Sequence, residues 1–450
     1  MINSKLIAFQ HQPSINLFKS GYLNQLIEVF PIFNHRYLFI TLIAVLLQGC
    51  GARSFMPTPN LFIEESSYLT RADAPNPKST DLEILYVTDR LNRAQGEELA
   101  SYGKSRSSAA AFGEAIVKLN PGKKWEELRD ASDGKRGTNT FSYGKAIAKE
   151  RGSFPDSPYL FTVKNKEVVI DQDVLKELDE SKSQFKQLVL DRMKKQNSNE
   201  VVLYVHGFAN SFEFAAQTLS GIWHFLEREH VPILYSWPAG AGGLRGYFVD
   251  TVSGDFTIFH LKETLRVLFD MPEVEKIHII GHSRGTAVVT TALRELLIET
   301  RGNGQNVRKT FRIENLILAA PDLDFGVIRQ RLMAEAFGSA FGQINVYTTS
   351  NDKALSISQL LQRGIRFGLL ASKDLDTRDR SILERVGNVH FIQAQDIRSL
   401  TGHDYFVTDP AVSSDLLSVI KHSAKPGSKE RPLTNQAGNF WLLPFSYPNQ

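Results

Sequence analysis

The chain has 450 residues, of which 42% are hydrophobic and 22% charged, and its net charge is +3. This composition allows a large core, in one extended domain or in two, and argues against nucleic acid as a partner. A single cysteine excludes an internal disulfide and a cysteine-rich metal site, and no histidines are paired at ligand spacing, so we expect neither a metal nor a cofactor.

The first predicted element is a signal or targeting segment over residues 1–49. A basic residue, Arg36, precedes an uncharged apolar run from Tyr37 to Leu47, and the lone cysteine follows as Cys50. The run is too short to span a bilayer but is typical of a secretory signal. The four residues that end at Cys50 resemble the bacterial lipobox, which implies lipidation of Cys50. The alternative is a buried helix that ends in an unmodified cysteine.

The lipobox resemblance implies a location in the bacterial cell envelope, on its periplasmic side, where the lipid on Cys50 anchors the protein in a membrane. Sorting to the outer membrane stays open. Residues 50–80 carry four prolines among polar residues and predict a tether that lifts the next domain off the membrane.

The main domain is predicted over residues 81–420. It begins with a strand from Leu82 to Val87 and contains an insertion at about 120–195, within which residues 174–195 favour a charged amphipathic helix. Residues 421–450 are predicted to be a C-terminal tail.

From residue 200 onward, short apolar runs alternate with helical patterns. The runs are Val201–Val205, Ile233–Ser236, Lys276–Ile280, Asn315–Ala319, Ile344–Tyr347 and Val389–Ile392. Such alternation is typical of parallel strands joined by helical crossovers. The sequence therefore predicts an α/β fold with a mostly parallel, doubly wound sheet and helices on both faces. In such sheets the functional groups lie at the carboxyl ends of the strands.

One strand leads directly into a candidate nucleophile. The run Lys276–Ile280 is followed at once by Gly281-His282-Ser283-Arg284-Gly285, and a helical pattern begins there. This G-x-S-x-G motif in a strand–turn–helix context is typical of a nucleophile elbow, and its glycines suit a strained turn. We expect Ser283 to be the nucleophile, with its hydroxyl at the positive end of a helix. The alternative is a plain strand-to-helix turn.

A second candidate segment follows Val201–Val205 and reads His206-Gly207-Phe208. In α/β-hydrolases an H-G pair after an early strand supplies a backbone N–H to the oxyanion hole. The expected oxyanion donors are therefore the backbone N–H groups of Phe208 and Arg284. We expect His206 to hold this loop through hydrogen bonds, because no metal-ligand cluster lies beside it in the sequence.

The general base is sought among the histidines after Ser283, since the triad of this fold runs in the order serine, acid, histidine. His403 follows the last predicted strand and is the expected base. His390 lies inside an apolar run, and His422 lies in the polar C-terminal segment.

The acid of the triad stays open between aspartates that follow neighbouring strands. Asp352 follows the strand Ile344–Tyr347 and is preferred. Asp322 follows the preceding strand and is the alternative acid, and Asp324 beside it is the third choice. The acid that is not used is expected to cap a helix.

Seven short segments together resemble a known family. They are Tyr86-Val87-Thr88-Asp89-Arg90, His206-Gly207-Phe208, Ser236-Trp237-Pro238, Gly281-His282-Ser283-Arg284-Gly285, Ala320-Pro321-Asp322, Asn351-Asp352-Lys353-Ala354-Leu355 and Gly402-His403. These segments look like the bacterial α/β-hydrolases of the DUF900 family, over roughly residues 82–410. The resemblance implies an esterase-like or lipase-like serine hydrolase and implies no particular substrate.

The leading functional hypothesis is a serine hydrolase that cleaves small-molecule or lipid carboxylic esters through an acyl-enzyme. Cleavage of amides or thioesters by the same mechanism is one alternative, because one acyl-enzyme mechanism serves all three bonds. A lipoprotein that uses the fold only for binding is another alternative. The segment from Trp237 to Phe248 supplies glycines and aromatic residues that either line an acyl pocket or pack in the core.

Overall fold

A mixed β-sheet forms the centre of the described part of the chain. The computed structural model describes residues 53–64, 78–94, 96–120, 122–133, 141–362, 364–397 and 402–448, all within the unit that begins at Ala52. In these residues the strands are β1 (Asp81–Asn92), β2 (Tyr102–Leu119), β3 (Tyr143–Ser153), β4 (Phe161–Lys164), β5 (Glu167–Ile170), β6 (Glu200–Val205), β7 (Val231–Ser236), β8 (Lys276–His282), β9 (Ile313–Ala319), β10 (Gln343–Thr348), β11 (Val389–Ala394), β12 (Thr434–Ala437) and β13 (Phe440–Leu443).

Helices connect most of these strands. The described helices are α1 (Leu61–Glu64), α2 (Trp125–Ser132), α3 (Gln172–Gln196), α4 (Phe212–Phe225), α5 (Gly243–Phe256), α6 (Ile258–Phe269), α7 (Gly285–Gly302), α8 (Val307–Phe311), α9 (Phe325–Ile328), α10 (Lys353–Gln362), α11 (Thr377–Val386), α12 (Tyr405–Thr408) and α13 (Pro410–His422). A π-helical turn, Arg329–Met333, and three short 3₁₀ turns lie between α9 and α11.

In the described part of the chain, eleven strands form one sheet in the order β12-β13-β11-β10-β9-β8-β6-β7-β1-β2-β3. Neighbours from β1 through to β13 pair in parallel, whereas β2, β3 and β12 pair antiparallel at the two edges. From β6 the chain moves to β7 on one side and then returns to β8 on the other. A crevice therefore opens at the carboxyl ends of these strands, which is where ligands bind in open α/β sheets.

Both faces of the sheet are covered, which explains the near-continuous apolar character of the central strands. Leu203 and Ile279 point into a core that includes residues of α3, α6 and α7. Their neighbours Tyr204 and Ile280 point to the other face, where residues of α4, α12 and α13 pack. The predicted mostly parallel, doubly wound sheet with helices on both faces is confirmed.

The region predicted as an insertion at about 120–195 is partly built into the sheet. It contains α2, the β4–β5 hairpin and α3, but its strand β3 pairs with β2 and extends the main sheet. The sequence of β3 is rich in charged and small residues, so it has no continuous apolar run that would have predicted a strand. Polar residues are expected there because an antiparallel edge strand can expose one face to water.

The segment predicted as a C-terminal tail also contributes to the sheet. Within 421–450, β13 pairs in parallel with β11, and β12 pairs with β13. Phe440 is only 4% exposed and stacks on Phe391 with ring centroids 4.5 Å apart. Each strand has four residues, too few to give a clear periodic signal.

Residues 53–64, within the predicted tether 50–80, pack against the domain. Phe55, Met56 and Phe62 are 3%, 4% and 5% exposed and belong to the same core as α4. The backbone N–H of Phe55 donates to the carbonyl of Phe141 (2.8 Å). The signal segment 1–49 and Cys50 lie outside the described residues. Among the described helices, none is long and apolar enough to cross a membrane.

We predict that Phe55→Ala lowers the free energy of unfolding by about 3–4 kcal/mol, because it removes a buried aromatic ring and leaves a cavity. The Phe55 ring contacts Tyr143 and Phe225, with centroids 5.2 and 5.7 Å away. Urea denaturation measures the change. Phe161→Ala is the matched control, since Phe161 is 56% exposed and should cost no more than about 0.5 kcal/mol. Equal effects of the two variants would contradict the packing of residues 53–64.

Candidate active site

Ser283 lies in a sharp turn between β8 and α7. Its φ of +51° is in the left-handed region, and the residue is buried, with 4% exposure. A Cβ on Gly285 would lie 2.3 Å from the carbonyl oxygen of His206, so only glycine fits there. At Gly281 the nearest atom would be 3.3 Å away, which is tight but less restrictive. The strained turn is therefore held by close backbone packing, as in other functional turns.

The structure brings Ser283, His403 and Asp352 together in one hydrogen-bonded chain. The Nε2 atom of His403 lies 2.8 Å from Oγ of Ser283, and its Nδ1 atom lies 2.8 Å from Oδ2 of Asp352. Asp352 is fully buried and its second oxygen accepts a hydrogen bond from the backbone N–H of Leu355 (2.9 Å). The three residues follow β8, β11 and β10, at the same edge of the sheet.

The hydrogen bonds and charges around His403 favour a basic Nε2 atom on its ring. A carboxylate can only accept, so Nδ1 of His403 carries the proton toward Asp352 and the lone pair of Nε2 faces the serine hydroxyl. Burial works to lower the pKa of His403, but the charge of Asp352 and its hydrogen bond outweigh burial and raise this pKa above its usual value. The imidazole is therefore able to accept the serine proton and to hold it.

Asp322 belongs to a different network. Its carboxylate accepts hydrogen bonds from Tyr247 Oη and Ser358 Oγ, both 2.6 Å away, and lies 3.6 Å from the guanidinium of Arg366. These contacts join α5 to α10 and leave no oxygen of Asp322 directed at His403. The third choice, Asp324, caps α9 by accepting from the backbone N–H of Val327 (2.9 Å). The structure thus joins Asp352 to His403 and leaves Asp322 and Asp324 apart from it.

The backbone N–H groups of Phe208 and Arg284 belong to the two segments that meet at Ser283. A Cβ on Gly207 would lie only 2.7 Å from Cβ of Ser283, so the loop of residues 206–210 runs directly beside the nucleophilic turn. Within the ranges that the structure describes, neither the N–H of Phe208 nor that of Arg284 donates a hydrogen bond. Two unused donors beside a buried hydroxyl can bind an oxygen that carries negative charge.

His206 supports the 206–210 loop from within. Its Nε2 atom accepts a hydrogen bond from Arg90 (3.2 Å), so its proton is on Nδ1 and is donated to the carbonyl of Gly207 (2.9 Å). Its ring stacks on Trp237 at 5.2 Å. Burial and the charge of Arg90 lower the pKa of His206 to about 3, so it stays neutral.

His282, the residue before Ser283, supports the site in a way that the sequence analysis did not predict. Its Nε2 atom lies 3.2 Å from the carbonyl oxygen of His403 and donates to it. Its ring packs against Phe406 at 4.6 Å, and burial lowers its pKa well below the usual value. His282 therefore fixes the loop that carries His403. Its place inside the G-x-S-x-G motif was the available signal.

Two aromatic residues of the glycine-rich segment from Trp237 to Phe248 lie in different environments. Tyr247 is 9% exposed and lies with its ring 5.5 Å from that of Phe208, whereas Phe248 is 60% exposed. The segment is partly helical, because α5 begins at Gly243. One ring thus packs beside the site and the other faces solvent.

Three side chains of metal-ligand type lie together at the end of the sheet opposite Ser283. Glu200, His230 and His278 bring ligand atoms within 4.8 Å of one another. The side-chain N–H₂ of Asn315 donates both to the carbonyl of Val419 (3.1 Å) and to Nδ1 of His278 (2.9 Å). The proton of His278 is therefore on Nε2, from which it donates to Glu200 (3.1 Å). Metal ligation would require that proton to leave, so the cluster is better matched to hydrogen bonding than to a cation.

Comparison with known protein families agrees with this architecture. The model of a family described as alpha/beta hydrolase of unknown function (DUF900) matches residues 181–420. The solved structure of a lipase-esterase related protein from Clostridium acetobutylicum ATCC 824 is 14% identical, with a TM-score of 0.22, and the match covers 56% of this chain and 86% of that one. A search of curated proteins found no match.

We predict that Asp352→Asn lowers the pKa of the His403 imidazole, since the charge that raises this pKa is lost while the burial that lowers it remains. In the wild-type protein the pKa should lie above the ordinary value of about 6.5. NMR titration of the histidine ring protons measures both values. Asp322→Asn is the control and should lower the pKa less. A larger effect of Asp322→Asn would contradict the arrangement described here.

Proposed function

The chain belongs to the DUF900 family of α/β-hydrolases, and on that premise we propose that it is a serine hydrolase that cleaves carboxylic esters through an acyl-enzyme. The observation that carries this proposal is the pair of 2.8 Å hydrogen bonds that link Ser283 to His403 and His403 to Asp352. A nucleophile, a base and an orienting acid in this geometry are the components that acyl transfer requires.

In the proposed acylation step, Oγ of Ser283 attacks the ester carbonyl carbon while Nε2 of His403 takes the serine proton. Asp352 stabilises the imidazolium that forms. The carbonyl oxygen becomes an oxyanion, which accepts hydrogen bonds from the N–H groups of Phe208 and Arg284 at the positive end of α7. The bond to the leaving oxygen then breaks as His403 delivers its proton to that oxygen.

In the proposed deacylation step, a water molecule replaces the alcohol. His403 takes a proton from water, and the hydroxide oxygen attacks the acyl carbon bound to Ser283. The second oxyanion uses the same two backbone donors. Its collapse returns the proton to Oγ of Ser283 and releases the carboxylic acid.

The surroundings of the site support an apolar acyl group in the substrate. Tyr247 and Phe208 pack together beside the nucleophile. Helices α5 and α10, which are linked through Tyr247 and Ser358, carry exposed apolar side chains. These side chains are Phe248, Val249, Val252, Ile357, Leu360 and Leu361. Exposed apolar side chains on these two helices are suited to contact an apolar acyl group or a lipid.

We further propose that Cys50 is lipidated and holds the protein in a bacterial envelope membrane. The short apolar run that ends at the lone cysteine supports this proposal. Metabolic labelling with a fatty acid, followed by mass spectrometry of the N-terminal peptide, should find acyl groups on Cys50 and none in Cys50→Ser. An unmodified Cys50 in the mature protein would contradict the proposal.

We predict burst release of p-nitrophenol from short and medium acyl esters by the wild-type enzyme, with an amplitude that scales with enzyme concentration. Ser283→Ala should abolish the burst because no acyl-enzyme can form, whereas Ser183→Ala, on the exposed face of α3, should retain it. Asp352→Asn should lower kcat on the order of 10³–10⁴-fold, and Asp322→Asn far less.

Two results together would reject the esterase proposal. One is a negligible rate across the acyl series, and the other is failure of a fluorophosphonate to label Ser283. Hydrolysis of amides or thioesters in place of esters would retain the mechanism but change the bond. If esters, amides and thioesters are all left uncleaved, a binding function for this fold becomes the better hypothesis.

A further inference from the structure

Arg90, at the end of β1, is a buried cation whose hydrogen bonds reach three separate segments. It is 2% exposed. Its acceptors are Ser236 Oγ (2.9 Å), the carbonyls of Gly103, Ala239 and Asn210 (each 2.8 Å) and His206 Nε2 (3.2 Å). A guanidinium has five N–H groups, and each of them has an acceptor here.

The charge of Arg90 is not balanced by a direct ion pair. In the described part of the chain no carboxylate lies within ion-pair distance of it, and Asp89 and Asp250 act on it only through space. Burial lowers the pKa of Arg90 to about 10, so it stays charged at neutral pH. An unpaired buried charge is costly unless dipoles surround it. The carbonyl groups of Gly103, Ala239 and Asn210 therefore stabilise the charge of Arg90 only if their positions are fixed.

Asp250, on α5, binds the same two loops as Arg90, namely residues 206–210 and residues 237–241. It is 1% exposed, and its carboxylate accepts hydrogen bonds from the backbone N–H groups of Ala209 (2.9 Å), Gly240 (3.2 Å) and Ala241 (3.3 Å). Ala209 has a φ of +55°, a conformation that an alanine rarely adopts without support. The Arg90 guanidinium thus binds carbonyl groups of the two loops, and the Asp250 carboxylate binds their N–H groups.

Phe208 lies between these two anchors. Arg90 fixes the ring of His206 on one side and the carbonyl of Asn210 on the other, while Asp250 fixes the next residue, Ala209. The side chain of Asn210 also donates to the carbonyl of Phe208 (2.9 Å). These two contacts hold the Phe208–Ala209 peptide. The Gly207–Phe208 peptide, which carries the Phe208 N–H, is held by Nδ1 of His206, which donates to the carbonyl of Gly207 (2.9 Å).

We infer that Arg90 and Asp250 are positioning residues that hold the Phe208 N–H at the site of the oxyanion. This inference rests on the proposed function and deepens it. Neither side chain touches the reacting atoms, and each acts through the 206–210 loop. The inference also gives a physical reason why three short segments, around Arg90, His206 and Ser236, occur together in this chain: the guanidinium of the first binds the other two.

Loss of this positioning should affect the transition state more than substrate binding, because the oxyanion exists only after attack by Ser283. Arg90→Lys keeps the charge but not the five-donor geometry. We expect it to lower kcat by at least about 10-fold, up to the 10²–10³-fold that loss of one oxyanion donor costs, with KM changed by less than about 3-fold. Asp250→Asn should show the same pattern.

Arg431→Lys is the matched control. Arg431 is fully buried too, but it hydrogen-bonds to Asp415 and Asn345 (2.7–2.8 Å) and not to the 206–210 loop. Both arginine variants should lose thermal stability, yet Arg431→Lys should keep kcat within about 2-fold. A second readout is inhibition by a trifluoromethyl ketone, which forms a tetrahedral adduct with a serine. Its affinity should fall for Arg90→Lys by the same factor as kcat/KM, and should stay unchanged for Arg431→Lys.

Two outcomes would overturn the inference. A folded Arg90→Lys enzyme with wild-type kcat and wild-type affinity for the ketone would remove the positioning role. An equal loss of kcat in Arg431→Lys would assign the effect to general stability. Absence of turnover and of fluorophosphonate labelling in the wild-type enzyme would instead reject the proposed function itself. The two failures are therefore distinguishable in one set of assays.

Discussion

The close approach of two backbone segments, without side chains between them, is the constraint on which the site depends. Glycine at 285 lets the start of α7 contact the carbonyl of His206, and glycine at 207 lets the 206–210 loop contact Ser283. Any larger residue would separate the end of β6 from the end of β8. Because these two strands are direct neighbours in the sheet, their carboxyl ends can meet only if both turns are this compact. The N–H groups of Phe208 and Arg284, which donate no hydrogen bond within the described residues, belong to these two turns.

Three histidines lie close to Ser283, and their pKa values differ because their neighbours differ. His206 faces the cation of Arg90, and His282 faces the polar backbone of the loop that carries His403, so burial dominates and both have lowered pKa values. Only His403 faces a buried carboxylate, and only its pKa is raised. The same desolvation thus produces two neutral supports and one basic group. A carboxylate at the end of β10 makes the difference.

Segments far from the site in sequence complete the scaffold around it. The N-terminal stretch with Phe55 and the C-terminal strand β13 both pack into cores that the central strands alone would leave exposed. At the opposite end of the sheet, His278 and Glu200 link β8 to β6 by a hydrogen bond. The strand that leads into Ser283 is therefore held at its start by polar contacts and along its length by apolar packing. This rigidity suits the proposed function, in which two backbone donors are held in fixed directions.

The sequence by itself determined the parts of this protein that depend on local chemistry. The apolar runs from residue 200 onward predicted the parallel strands, since buried central strands must be apolar on both faces. The elbow at Ser283, the H-G pair and the histidine after the last predicted strand were visible because each has a local motif or a fixed chain order. The sequence did not predict strands β3, β12 and β13 or the packing of residues 53–64. Edge strands and short segments carry little hydrophobic periodicity.

Only the tertiary structure decided which groups meet. Asp352 and Asp322 both follow strands and look alike in sequence, yet one carboxylate contacts His403 while the other is held by Tyr247 and Ser358. Arg90 likewise binds backbone carbonyls that can belong to any residue type, so no side-chain pattern announces its partners. Contacts of this kind depend on distances between residues that are more than a hundred positions apart in some cases. Packing alone sets those distances.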